Sequence, residues 1–162
     1  MQLDNLYQEV ILDHYKNPQH KKLNPIFDAQ VHHINPSCGD EITLNVTLDA
    51  GLVKEVSWDG VGCSISQASA SILTDLLIGK SLDRAQEISD AFMHLMQSKG
   101  TETGDAEVLE DAVALAGVSQ YPARIKCALL GWMAFKDASV QAIAKNSYKE
   151  SRIRIWLQRL KM

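Results

Sequence analysis

Residues 42–58 constrain the fold more than any other part of the chain. Ile42, Leu44, Val46 and Leu48 alternate strictly with polar residues, the period of a half-buried strand whose side chains point to opposite faces in turn. Asp49-Ala-Gly51 then turns the chain, and Leu52, Val56 and Trp58 fit a returning strand. Upstream, Ala29 to Ile34 reads as a third strand, interrupted by the Asn35-Pro36 turn. Three short strands joined this closely predict an antiparallel meander, and its first connection carries Cys38.

Helical periodicity surrounds this core. Leu3, Leu6, Tyr7, Val10, Ile11 and His14 share one helix face, which Asn17-Pro18 ends. Residues 18–27 are a polar, proline-containing connection. Ile65, Ala68, Ile72, Leu76 and Leu77 define a helix closed by Gly79, and Ser81 is the expected N-cap of the next, built on Leu82, Ala85, Ile88, Phe92 and Leu95. Lys99 to Asp105 reads as a mobile loop. Val108, Leu109, Ala112, Val113 and Ala116 predict a short helix ended by Gly117, and Pro122 opens another that carries Ile125, Cys127, Leu129, Trp132 and Met133. Ile153, Trp156, Leu157 and Leu160 mark a basic amphipathic helix. The predicted class is α+β, a small three-stranded antiparallel sheet packed against several helices.

Charge and cysteine usage narrow the function. At 162 residues, 46% hydrophobic and 22% charged, the chain reads as one soluble domain. A net charge of −4 argues against a general nucleic-acid binder. The beginning, Met-Gln-Leu-Asp-Asn-Leu6, has neither a basic nor an apolar signal region, and no apolar run approaches a membrane span, so the expectation is a cytoplasmic protein. Residues 145–161 hold six Lys/Arg and one Glu, which leaves ten bases and nineteen acids elsewhere, a net −9. This tail, 146–162, is expected to be an extension of a domain spanning 1–145. Its apolar face is expected to pack on that domain, with docking onto an acidic partner or a membrane surface as the alternative.

Three cysteines are an odd number in a compartment that keeps thiols reduced, which disfavours a disulfide framework. Cys38-Gly-Asp40 sets a soft and a hard ligand two residues apart, and Gly39 can adopt the tight φ-positive turn that aims both at one point. Cys63 follows Gly60-Val-Gly62 at a strand-to-helix turn, where the helix N-terminus favours thiolate. Cys127 lies at helical spacing among Ile125 and Leu129, where packing alone would account for it. The spacings match no zinc-finger pattern. Three thiols and a carboxylate would nevertheless make a tetrahedral set for zinc, or hold an iron–sulfur cluster, with the oxygen the natural ligand to exchange. The five histidines read as packing or solvent-facing, since no carboxylate is spaced to them.

Three ordered segments resemble one family. Asn-Pro-Ser-Cys38-Gly-Asp40, Gly-Val-Gly-Cys63-Ser-Ile-Ser-Gln-Ala-Ser and Arg124-Ile-Lys-Cys127-Ala-Leu-Leu-Gly-Trp132 are similar to the U-type iron–sulfur cluster assembly proteins, as is the N-terminal stretch from Leu6 to His20. The likeness covers about residues 3–140. Within the family the chain resembles the SufU branch. Lys126 stands where IscU scaffolds carry histidine, their Leu-Pro-Pro-Val-Lys motif has no counterpart, and residues 97–118 form the extra segment of SufU proteins. The resemblance implies a SufE/IscU-like fold and a zinc site made by Cys38, Asp40, Cys63 and Cys127. It also implies a SufS-type cysteine desulfurase and other Suf assembly proteins as partners, with Cys38 accepting persulfide sulfur. The alternatives are a scaffold assembling a labile iron–sulfur cluster on the same residues, and a zinc module that only docks a partner.

Overall fold

The alternating run becomes the central strand of the sheet. A computed structural model describes residues 2–161, apart from the side chains of residues 2–4 and 6. Of the first helix's expected apolar stripe, Leu3 and Leu6 therefore lie outside the described side chains. Strands β1 (Ala29–Asn35), β2 (Asp40–Asp49) and β3 (Leu52–Val61) pair antiparallel in the order β1-β2-β3. Val31, Leu44 and Trp58 stand opposite one another across the sheet, as do Ala29, Val46 and Val56. All six are buried, so these rows form the apolar face. The residues between them, Gln30, His32 and Ile34, are exposed on the other face.

The helices cover the apolar face. They are α1 (Gln2–Lys16), α2 (Ser64–Leu77), α3 (Leu82–Gln97), α4 (Ala106–Leu109) and α5 (Pro122–Leu160), with a 3₁₀ segment at Glu110–Gln120. α5 lies along β1 and β2, and α2 packs between α5 and α1. His33 Nε2 bonds to Asp137 Oδ2 at 2.8 Å, and Lys145 Nζ donates to the Phe27 carbonyl at 3.4 Å. Those two contacts show that α5 runs antiparallel to β1, with its start at the Cys38 end of the sheet. Behind it, Trp132 stacks on Phe92 with centroids 4.3 Å apart, worth about 0.5–1.5 kcal/mol beyond area burial. The indole Nε1 donates to Ser69 Oγ at 3.0 Å, and that hydroxyl donates to the Ala128 carbonyl at 2.6 Å, so the buried polar groups are satisfied. His14 joins three elements. Its Nδ1 meets Ser71 Oγ of α2 at 2.8 Å and its Nε2 meets Asp111 Oδ2 of the 3₁₀ segment at 3.0 Å.

The expected α+β class and three-stranded meander are what the structure has, and Ser81 caps α3 by accepting from the Arg84 N–H at 3.1 Å. Two expectations are corrected. The short helix does not run to Gly117: α4 stops after Leu109, where Glu110 takes φ +47°, and the chain continues as 3₁₀ turns to Gln120. The tail, moreover, is no separate helix packed on the domain. α5 continues unbroken to Leu160, and every residue from Ser147 to Lys161 is exposed. Nothing between Ala142 and Leu160 breaks a helix, so backbone hydrogen bonding carries it past the last core contact. Among the described residues, no helix is long and apolar enough to cross a membrane.

Candidate metal centre

Three loops and helix ends converge where α5 begins. Between β1 and β2 the chain must reverse within four residues, and Gly39 does so at φ +71°. The Asn35 carbonyl accepts from the Gly39 N–H at 2.9 Å, which closes the turn. This leaves Cys38 exposed at the tip and buries Asp40, the first residue of β2, at 1% exposure. β3 then delivers Cys63 to the N-cap of α2, half-buried, where its backbone N–H donates to Asp40 Oδ1 at 2.8 Å. The docking of α5 along the sheet brings Cys127, buried in its second turn, to the same place.

The donor atoms meet. Cys38 Sγ donates to Asp40 Oδ2 at 2.9 Å and lies 3.4 Å from Cys127 Sγ, and Cys63 Sγ lies 3.6 Å from Asp40 Oδ2. One ligand atom each from Cys38, Asp40 and Cys127 fits within 4.8 Å of the others. Bonds of about 2.3 Å to sulfur and 2.0 Å to oxygen in a tetrahedron put donor atoms roughly 3.5–3.8 Å apart, so a zinc ion fits this set after shifts of about half an ångström. The chemistry agrees. Burial, then contacts with Cys38, Asp40 and Cys63, push the Cys127 thiol well above its ordinary range. Only a bound cation would make so buried a sulfur a thiolate at neutral pH. Burial also pushes the Asp40 carboxyl up, but hydrogen bonds from Cys38, the Cys63 backbone, Cys127 and Cys63 outweigh it and hold Asp40 below the usual carboxylate value.

All four residues singled out from the sequence are thus brought together. None of the histidines joins them. His33 finds its carboxylate in Asp137, 104 residues away, and His94 lies 3.0 Å from Glu102. Two contributors went unnoticed in the sequence. Asn35 Nδ2 donates to Cys38 Sγ at 3.0 Å, a donor aimed at the exposed sulfur. Gly62 has no room for a Cβ, which would fall on the Asp40 carboxylate and Ser66 Oγ. An asparagine three residues before a loop cysteine, and a glycine directly before another, were the available signals. Beside the cluster, an open groove of about 570 Å³ is lined by Tyr7, Ile65, Tyr121 and Arg124, among others.

The NifU-like N-terminal domain family matches residues 6–128. The chain belongs to that family. Among its relatives, the zinc-dependent sulfurtransferase SufU of Bacillus subtilis is 47% identical over 135 residues, covering 83% of this chain and 89% of that protein. The iron–sulfur cluster assembly scaffold protein IscU of Streptococcus pyogenes serotype M1 is 38% identical over 156 residues, 93% of this chain and 96% of that one. In three dimensions, the SufU protein of Fervidobacterium islandicum AW-1 superposes with a TM-score of 0.74 at 33% identity, over 80% of this chain and 93% of that one. As a member of the NifU-like family, this chain carries its three cysteines and its aspartate on the elements just described.

Proposed function

We propose that this protein is a sulfur-transfer component of iron–sulfur cluster assembly. It holds zinc through Cys38, Asp40, Cys63 and Cys127, and accepts sulfur at Cys38 from a persulfide on a SufS-type cysteine desulfurase, in the cytoplasm alongside other Suf assembly proteins. One observation carries the reading: of three clustered thiols, Cys38 alone is exposed, at the tip of a rigid turn. Bound zinc would keep the coordinated sulfurs ionised at neutral pH.

The chain's own residues account for the rest. The Cys38 thiolate attacks the terminal sulfur of the donor persulfide. A new S–S bond forms on Cys38, the donor's S–S bond breaks, and the donor cysteine leaves as thiolate, so no external oxidant or reductant is needed. Asn35 Nδ2, 3.0 Å from Cys38 Sγ, stabilises negative charge on the attacking sulfur. Asp40, a hard oxygen among soft donors, anchors the turn through the Cys63 N–H. The groove beside Cys63 and Cys127 offers the donor segment a seat next to the acceptor.

The test is mass spectrometry of the protein after incubation with the desulfurase and cysteine. A persulfide adduct on Cys38 that is absent from Cys38→Ser supports the reading, and an adduct that survives this substitution sinks it. A scaffold is the second reading, favoured by the same donor set, which also suits an iron–sulfur cluster as cargo. Iron and acid-labile sulfide purified with the protein and passed to an apo acceptor would put that reading first.

A further inference from the structure

Residues 147–161 extend α5 roughly 22 Å beyond the domain at 1.5 Å per residue. Ile153, Trp156, Leu157 and Leu160 are 57%, 60%, 46% and 63% exposed, and form one stripe at helical spacing. Ile153, Trp156 and Leu160 each stand eighteen residues, five full turns, beyond the core residues Phe135, Ala138 and Ala142. The stripe therefore continues the face that α5 turns towards the sheet. Lys149, Arg152, Arg154, Arg159 and Lys161 surround it.

An apolar stripe of this size calls for a partner, and geometry removes three. The tail cannot fold back on its own domain, because no glycine or proline after Gly131 provides a hinge in the continuous helix. A flat membrane laid on the stripe would cut through the sheet, which stands on the same side of α5. Two tails laid together would oppose two local charges of +5. The complementary surface is on the domain of another copy. Residues 75–111 hold nine Asp/Glu and three Lys/Arg, a net −6. Within that face lies a groove of about 580 Å³ floored by Ala91, Leu95, Val108 and Leu109 and rimmed by Glu102 and Asp105.

We propose that two copies of this chain exchange tails, each inserting Trp156 into the other's α3–α4 groove. Arg152 and Arg159, one turn to either side of Trp156, face Glu102 and Asp105. The exchange is reciprocal and closes on itself, so it yields a dimer rather than a filament.

Sedimentation velocity on the full chain tests this. The expected result is a dimer at low ionic strength that dissociates as the Debye length falls from about 10 Å at 0.1 M salt to about 3 Å at 1 M. Trp156→Ala and Arg152→Glu/Arg159→Glu should be monomeric with unchanged melting temperature, since these side chains touch nothing in their own domain. Glu102→Lys/Asp105→Asn should also be monomeric. Asn at 105 preserves the α4 cap, where Asp105 Oδ1 accepts from the Glu107 N–H at 2.9 Å. Mixing the tail-reversed and groove-reversed chains should restore a dimer, because each tail then meets a groove of opposite charge. A wild-type chain that stays monomeric at low salt, or a dimer indifferent to the groove substitutions, overturns the proposal. Co-sedimentation of the monomer with anionic phospholipid vesicles would assign the tail to a membrane surface instead.

Discussion

Gly62→Ala should damage the metal site while leaving the fold standing. The new Cβ would lie 2.8 Å from Asp40 Cγ and 2.6 Å from Ser66 Oγ, with Asp40 Oδ1 closer still, whereas ordinary contact begins at 3.4 Å. The carboxyl carbon must therefore retreat by about 0.6 Å, against a tolerance of roughly 0.2 Å for a metal ligand. Gly62 is not in the left-handed region, so the effect is one of space and not of backbone strain. Moving a residue that merely supports a ligand weakens metal binding about 10–100-fold. Here the ligand itself moves, and the upper end applies, about 2.8 kcal/mol. Overpacking adds roughly 1–3 kcal/mol to the cost of folding. Zinc affinity is measured by chelator competition for wild type, Gly62→Ala, Asp40→Ala and the double variant. If the glycine acts through the carboxylate, the double variant binds no worse than Asp40→Ala alone. Wild-type affinity in Gly62→Ala, or fully additive losses, would refute this account.

Other consequences concern stability. His14→Ala unties α1 from α2 and the 3₁₀ segment, and should cost about 2 kcal/mol, seen as a drop of roughly 4–8 °C in thermal melts. Trp132→Phe keeps the stack on Phe92 but loses the bond to Ser69 Oγ, so about 1–2 kcal/mol is expected, against roughly 3–5 kcal/mol for Trp132→Ala. His33, with help from Gln141, holds the Asp137 carboxyl below its usual value. A depressed folded pKa gives stability that is fully present above the unfolded carboxylate pKa of about 3.9 and lost as pH falls through the folded one. The stability gap between wild type and Asp137→Asn, followed by denaturant melts, should therefore close on acidification below pH ~4. The gap itself will be small, because Asp137 is 44% exposed. Zinc at about 100 times its dissociation constant should add roughly 2.7 kcal/mol to folding stability, and a chelator should remove it.

The sheet and most helix ends were legible because local rules wrote them. The alternation from Ile42 to Leu48 gave β2, the Asp49-Ala-Gly51 turn gave the hairpin, and Ser81 capped α3 as expected. What escaped depended on long range or on a missing breaker. Amphipathic spacing at 153–160 suggested an independent helix, yet the absence of any glycine or proline after Gly131 was the better guide to one continuous α5. The kink at Glu110 takes a positive φ that no glycine advertised. At the metal centre, Gly39 and Cys63 announced themselves through local turn chemistry. Cys127 did not, because only the docking of α5 brings it within 3.4 Å of Cys38 Sγ, and spacing along a chain does not report that. His33 is the same lesson in reverse: its carboxylate comes from a distant helix.

The placement of Cys127 in the second turn of α5 has a consequence for how the protein is made. Cys38, Asp40 and Cys63 leave the ribosome first, and Cys127 follows 64 residues after Cys63. At about 5–20 residues per second that is an interval of roughly 3–13 s. Throughout it the nascent chain holds three donors with no fourth to close them. A chain stopped before α5 has the sheet, the turn and two of the thiols, yet no complete site. Metal capture therefore certifies that synthesis has passed the start of the last helix and that the helix has docked along the sheet.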